Sequence, residues 1–139
     1  MINKKIVLLF TALLTVLLTP VSYADSYNVS TNNNCKIHNQ FPVSGETVSY
    51  DGECKEGYAN GVGKVTWFVN NKIHQISSGN YVKGKLEGEC SIQVANSKHS
   101  FNGTCKDDMP INGTYIYEDG SVYTGEFEYG RPKNKPIKK

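Results

Sequence analysis

Four cysteines, three histidines and two acidic pairs are the side chains of this 139-residue chain with a capacity for chemistry beyond packing. Cysteines can bridge, ligate metal or exchange electrons, and their spacing separates those roles. Cys35, Cys54, Cys90 and Cys105 include no Cys-x-x-Cys pair, and every interval is long, unlike a redox or zinc motif. An even number in a short chain points to disulfides. Hairpin symmetry selects one of the three connectivities. Cys35 and Cys54 lie evenly about Ser44-Gly45, and Cys90 and Cys105 about Ser97-Lys98. Two-residue-loop hairpins at those centres would set each pair directly cross-strand, where Cα separations of roughly 4.5–5.5 Å suit a disulfide. The expected pairs are therefore Cys35–Cys54 and Cys90–Cys105, each contributing about 3 kcal/mol in the chain-entropy picture.

His38, His74 and His99 are far apart and share no repeat position with an acidic cluster, so they read as surface or half-buried strand residues. Asp107-Asp108 and Glu118-Asp119 have the composition of an acid–base or calcium pair. Both abut turn residues, where aspartate bonds its own backbone, so they read as solvated turns. The serines form no Gly-x-Ser-x-Gly elbow, and neither a phosphate loop nor a zinc-protease helix motif occurs. No catalytic residue, metal or cofactor is expected, and the protein reads as a non-enzyme.

The elements that carry these residues begin with an export signal, expected over residues 1–24. Lys4 and Lys5 precede an apolar run from Ile6 to Leu18, and Ser22, Tyr23 and Ala24 form a small-x-small cleavage site. The run is shorter than the roughly 20 residues that span a bilayer, and no cysteine follows it, so the expectation is a soluble exported protein, periplasmic or secreted. Without the signal the chain carries equal numbers of basic and acidic residues, which argues against a nucleic-acid binder. Residues 25–34, with Asn32, Asn33 and Asn34, read as a flexible lead-in. Arg131, Lys133, Lys135, Lys138 and Lys139 make residues 131–139 a basic tail, read as a solubilising end with a capacity for weak contact with an anionic surface.

Between these ends, residues 35–130 hold every one of the 13 glycines, and the glycines keep a frame. Gly52 is followed by Gly57, Gly61 and Gly63; Gly79 is followed by Gly84 and Gly88 at the same intervals, with Cys90 where the next glycine would stand. Gly103 continues to Gly113, and Gly125 to Gly130. Within each unit, period-two alternation such as Val65, Trp67 and Val69 against Thr66 and Phe68 signals half-buried strands. Asn60-Gly61, Asn112-Gly113 and Asp119-Gly120 supply turn residues that tolerate positive φ. No capped helical periodicity follows the signal. The fold class expected is all-β, an antiparallel meander of short hairpins.

The series Tyr50, Gly52, Gly57, Gly61 and Gly63 resembles the MORN (membrane occupation and recognition nexus) repeat, as does the run from Tyr123 to Gly130. The resemblance covers residues 48–130 and departs from the pattern at Ser77, which replaces an aromatic, and at Asp108, near an expected glycine. It implies an elongated, single-layer, disulfide-stapled meander acting as a scaffold or binding module. Trp67, Phe68, Tyr81, Tyr115, Tyr117, Tyr123, Phe127 and Tyr129 exceed what a thin sheet can bury, so some are expected at the surface as anchors for a protein partner in the envelope. The alternative is a small secreted inhibitor or immunity-type protein that acts through a projecting loop, at Asn70-Asn71-Lys72 or between Asp107 and Asn112.

Overall fold

A computed structural model describes residues 25–134. The expected export signal at residues 1–24 and the tail end at 135–139 lie outside the described residues. Among the described residues there is no helix, so none is long and apolar enough to cross a membrane. The strands are β1 (Tyr27–Val29), β2 (Lys36–His38), β3 (Glu46–Lys55), β4 (Tyr58–Val69), β5 (Lys72–Val82), β6 (Lys85–Val94), β7 (Ser100–Lys106), β8 (Met109–Ile116), β9 (Val122–Glu128) and β10 (Arg131–Pro132). From β3 to β10 each strand pairs antiparallel with the next, the meander that the alternation predicts. Arg131 and Pro132 pair with Glu128 and Phe127, so the basic tail begins inside the sheet rather than as a disordered end.

Two rows of residues, running across the strands, explain the glycine frame. Gly63, Gly79, Cys90, Gly103, Gly113 and Gly125 are successive cross-strand partners from β4 to β9. Two residues away runs a second row, Tyr50, Val65, Ser77, Ile92, Phe101, Tyr115 and Tyr123. Residues two apart share a face, so rings in the second row lean over the bare backbone of the first. A Cβ at Gly63 would lie 2.5 Å from the Tyr50 ring, and one at Gly113 would lie 2.8 Å from Phe101 Cζ. Val65, Ser77 and Ile92 interrupt the rings of this row, and Tyr81 fills the gap at Ser77. Its hydroxyl donates to Ser77 O at 3.2 Å and lies 3.0 Å from Ser77 Oγ, and its ring meets the Tyr50 ring edge-on at 5.5 Å. Register shifts between Asp51 and Glu53, Gly79 and Tyr81, and Thr104 and Cys105 recur just past the glycine row. Bulges of this kind bend and twist strands, and the sheet curls.

The repeat frame also appears in the turns. Glu56-Gly57, Lys83-Gly84, Asp107-Asp108 and Tyr129-Gly130 all have positive φ at both residues, the pattern of the tight turns whose twist suits a hairpin. They join β3 to β4, β5 to β6, β7 to β8 and β9 to β10, and so gather at one end of the sheet.

The first two strands depart from the single-layer expectation. Residues 25–34 are not a loose lead-in: β1 pairs antiparallel with β2, and β2 meets β4 in a single parallel bridge between Lys36 and Tyr58. The Lys36 N–H donates to Gly57 O at 2.8 Å and the His38 N–H to Gly84 O at 2.9 Å, so β2 runs across the turn end as a strap. Gly84 is needed there, because it has φ +81° and a Cβ would approach Lys36 O to 2.7 Å. Upstream, Thr31 N–H donates to Val48 O at 2.8 Å, Ser30 Oγ accepts the Tyr50 N–H at 3.0 Å, and the side-chain amides of Asn32 and Asn33 both reach Tyr50 O. These groups occupy the outer edge of β3, which otherwise offers unpaired backbone. Under the strap lies the tightest part of the core: Cys35, Val48, Tyr50, Ala59 and Val65 are fully buried, with Ile37 and Leu86 nearly so.

Both expected disulfides form, but not for the expected geometric reason. No hairpin closes about Ser44-Gly45, because Glu46 pairs with Val69. Cys35–Cys54 instead ties the strap to β3, with Cα atoms 5.7 Å apart. In the β6–β7 hairpin Cys90 faces Gly103 and Cys105 faces Gly88. The turn is therefore centred one residue earlier than expected, and the Cys90–Cys105 bond is diagonal, with Cα atoms 5.9 Å apart. Two structural disulfides point to a non-cytoplasmic protein.

Candidate functional site

The curl of the sheet and the strap enclose a groove of about 550 Å³. One wall is the segment from Ile37 to Glu46, which crosses from the turn end to the opposite end of the sheet. The floor is Trp67, Ser77, Tyr81, Leu86 and Ile92, and the far wall comprises Met109, Pro110 and the Tyr129-Gly130-Arg131 turn. The floor is buried or half-buried, while the rim is apolar and exposed: Phe41 is 76% exposed, Val43 50% and Tyr129 85%. A groove of this volume with an apolar lining and a few polar groups is the form of a binding site. A second depression of about 410 Å³ lies at the β9–β10 turn, lined by Glu128, Tyr129, Arg131, Pro132 and Lys133. None of those residues is buried, so it has no floor on which to desolvate a ligand.

Tyr129 stands apart from its counterparts. The first position of the equivalent turns holds Glu56, Lys83 and Asp107, all charged, whereas the fourth holds an aromatic ring at φ +51°. A left-handed backbone costs a non-glycine residue about 1–2 kcal/mol, and an exposed ring recovers little of that by packing.

The polar groups of the groove centre on His38. Its Nδ1 lies 2.6 Å from Asp108 Oδ2 and its Nε2 3.5 Å from Asp25 Oδ1. Asp108 Oδ1 also accepts the Leu86 N–H at 2.7 Å. Lys85 Nζ lies 3.2 Å from Asp25 and 3.8 Å from Asp107. The Tyr27 ring meets the imidazole edge-on at 5.3 Å. Burial pushes the Asp108 carboxyl above its ordinary value despite these donors, whereas Lys85 holds Asp25 below its own. The histidine side chain is only 9% exposed and has an acid at each nitrogen, so it clamps the strap to the β7–β8 turn. At the opposite end Glu46 Oε2 accepts from Asn39 Nδ2 at 2.6 Å and from Val43 N–H at 3.4 Å.

The eight aromatic anchors named from sequence do not form one surface. Trp67, Tyr81 and Tyr129 meet at the groove. Phe68 follows Trp67 along the strand and so faces the opposite side of the sheet, half-buried. Tyr123 and Phe127 are buried against each other, with centroids 5.2 Å apart, and Phe127 also meets Phe101. Tyr115 and Tyr117 are half-buried beside this cluster, and Tyr115 Oη lies 2.8 Å from His99 Nδ1. Sequence reasoning missed Phe41 and Val43, for which the signal was two apolar residues around Pro42 in a turn-rich stretch. It also missed His38 with Asp108, which no local pattern connects. Asp107-Asp108 is indeed a turn, but only Asp107 is solvated; Asp108 turns inward. Neither suggested inhibitory loop projects: Asn70-Asn71 and Asp107-Asp108 are two-residue turns between paired strands. Among the described residues no group of three or more His, Cys, Asp or Glu side chains is placed to hold a metal ion. The chain matches no protein-family model and no curated protein.

Proposed function

We propose that the chain is a non-enzymatic, exported binding protein of the MORN-like repeat type that holds a protein partner in the groove between strap and sheet. The observation that carries this reading is the exposed apolar rim, Phe41, Val43 and Tyr129, around a floor containing Trp67. Rings of this kind are the usual energetic anchors of interfaces. The polar clamp at His38 has both ring nitrogens engaged, which suits a structural role. Export by the signal at residues 1–24, to the periplasm or beyond, agrees with the disulfides. The lysines of the tail end, Lys135, Lys138 and Lys139, supply a weak, salt-sensitive attraction to anionic surfaces, and nucleic acid is not a partner.

The test is affinity capture from envelope extract with residues 25–139, a version ending at Asn134, and Phe41→Ala/Tyr129→Ala. A protein retained by the first two and lost from the double variant supports the groove. Equal retention by all three, or retention that disappears with the tail and with salt, contradicts it.

A further inference from the structure

The two disulfides differ in how a reagent can reach them. Cys90 and Cys105 lie within the sheet and are 7% and 1% exposed. Cys35 is fully buried beneath the strap, but its partner Cys54 is an exposed residue on β3, the outermost strand on that side. Thiol–disulfide exchange needs a thiolate to reach one sulfur of the bond, and the rate follows that access. We propose that Cys35–Cys54 is a thiol-exchange site, attacked at Cys54 Sγ by small thiols or by the dithiol of a reductant.

In the step a thiolate, RS⁻, bonds to Cys54 Sγ and the Cys35–Cys54 bond breaks. Cys35 Sγ leaves with the electron pair and takes a proton from water. A second thiolate then attacks the R-sulfur of the mixed disulfide and releases RSSR and the Cys54 thiolate, so two external thiols are oxidised for one protein disulfide reduced. Without that bond the strap is held by noncovalent contacts alone: two three-residue strands, one bridge to β4, the His38 N–H bond to Gly84 O, the bonds of Ser30, Thr31, Asn32 and Asn33 to β3, the buried Ile37 side chain and the His38 clamp. Exchange at Cys54 therefore frees the strap to lift from Tyr50 and Val48. Because residues 37–46 form a groove wall, it also loosens the groove; that consequence rests on the proposed function, whereas the exchange itself does not.

The experiment treats the oxidised, purified chain with reduced glutathione, quenches with acid and blocks free thiols with N-ethylmaleimide for peptide mass mapping. Emission from Trp67, the single tryptophan, is followed in parallel. The expected result is glutathione on Cys54 and a free thiol at Cys35, with Cys90–Cys105 opening at least about tenfold more slowly. Equal rates for the two disulfides, earlier opening of Cys90–Cys105, or glutathione on Cys35 overturns the proposal. Exchange at Cys54 that leaves Trp67 emission unchanged confirms the site and removes its link to the groove.

Discussion

The two halves of the sheet use one repeat code and reach different degrees of burial. In the strapped half, Tyr50 covers Gly52 and Gly63 and is itself covered, with no exposure. In the open half, Tyr123 leans on Gly125 in the same way but keeps 7% exposure, and Tyr115 and Tyr117 beside it are only half-buried. The aromatic-over-glycine unit thus buries a ring fully only where something covers it: the strap over Tyr50 in one half, and Phe127 against Phe101, which leans on Gly103 and Gly113 at 1% exposure, in the other. Residues 26–39 supply the second layer on one side only. The open half relies on its edge-on rings and on the diagonal disulfide, and the groove lies where covered and open regions meet.

The largest effects should fall on the rings. Tyr50→Ala is expected to cost about 3–5 kcal/mol in chemical denaturation, as for other fully buried aromatics. Tyr123→Ala should cost clearly less, because its partly open site can collapse. Equal losses would break the distinction between the halves.

Gly84→Ala should follow at about 2 kcal/mol, combining a left-handed backbone with pressure on Lys36 O. Its mark would be faster amide exchange in β1 and β2 with little change in β8 and β9.

Asp108→Asn should cost about 1–3 kcal/mol by weakening a half-buried hydrogen-bonded clamp, with a pH signature. Burial raises the folded-state carboxyl, so the folded chain holds this proton more tightly than the unfolded one. The associated stability is complete below the ordinary aspartate value of 3.8 and is lost as pH rises through the raised one. The Tm advantage of the wild type over the asparagine variant should therefore shrink as pH rises across that window. An advantage that grows would contradict the assignment.

The smallest stability effect belongs to Tyr129→Gly, which relieves a left-handed tyrosine and should change stability by no more than about 1 kcal/mol, towards greater stability. The same substitution should weaken partner capture, which separates a binding ring from a packing ring.

Local features were legible in the sequence. The frame glycines Gly79, Gly103 and Gly125 fall in the glycine row and Asp119-Gly120 is a turn, because period-two alternation reports local conformation directly. Asn60-Gly61 and Asn112-Gly113, read as turns, instead lie inside β4 and β8, where Gly113 serves the glycine row under Phe101. Cys90 in a glycine position was visible, and it does occupy the glycine row. Non-local features were not legible. The strap depends on hydrogen bonds between residues 30–38 and turns that lie further along the chain, and nothing in the polar run around Asn32–Asn34 announces its docking on Tyr50. The pairing of Cys35 with Cys54 was anticipated through a hairpin that does not exist; the strap brings the two together by another route. Asp108 shows the same limit, since its partner His38 is 70 residues away.

The most direct test of the strap's role is residue-resolved amide hydrogen exchange on the oxidised protein and on Ile37→Ala, which removes an apolar side chain of the strap. The account predicts stronger protection at Val48–Tyr50 and Val65–Trp67 than at Tyr115 and Tyr123 in the wild type, and loss of that excess in the variant with the open half unchanged. Uniform protection across both halves, or a uniform loss in the variant, would contradict it.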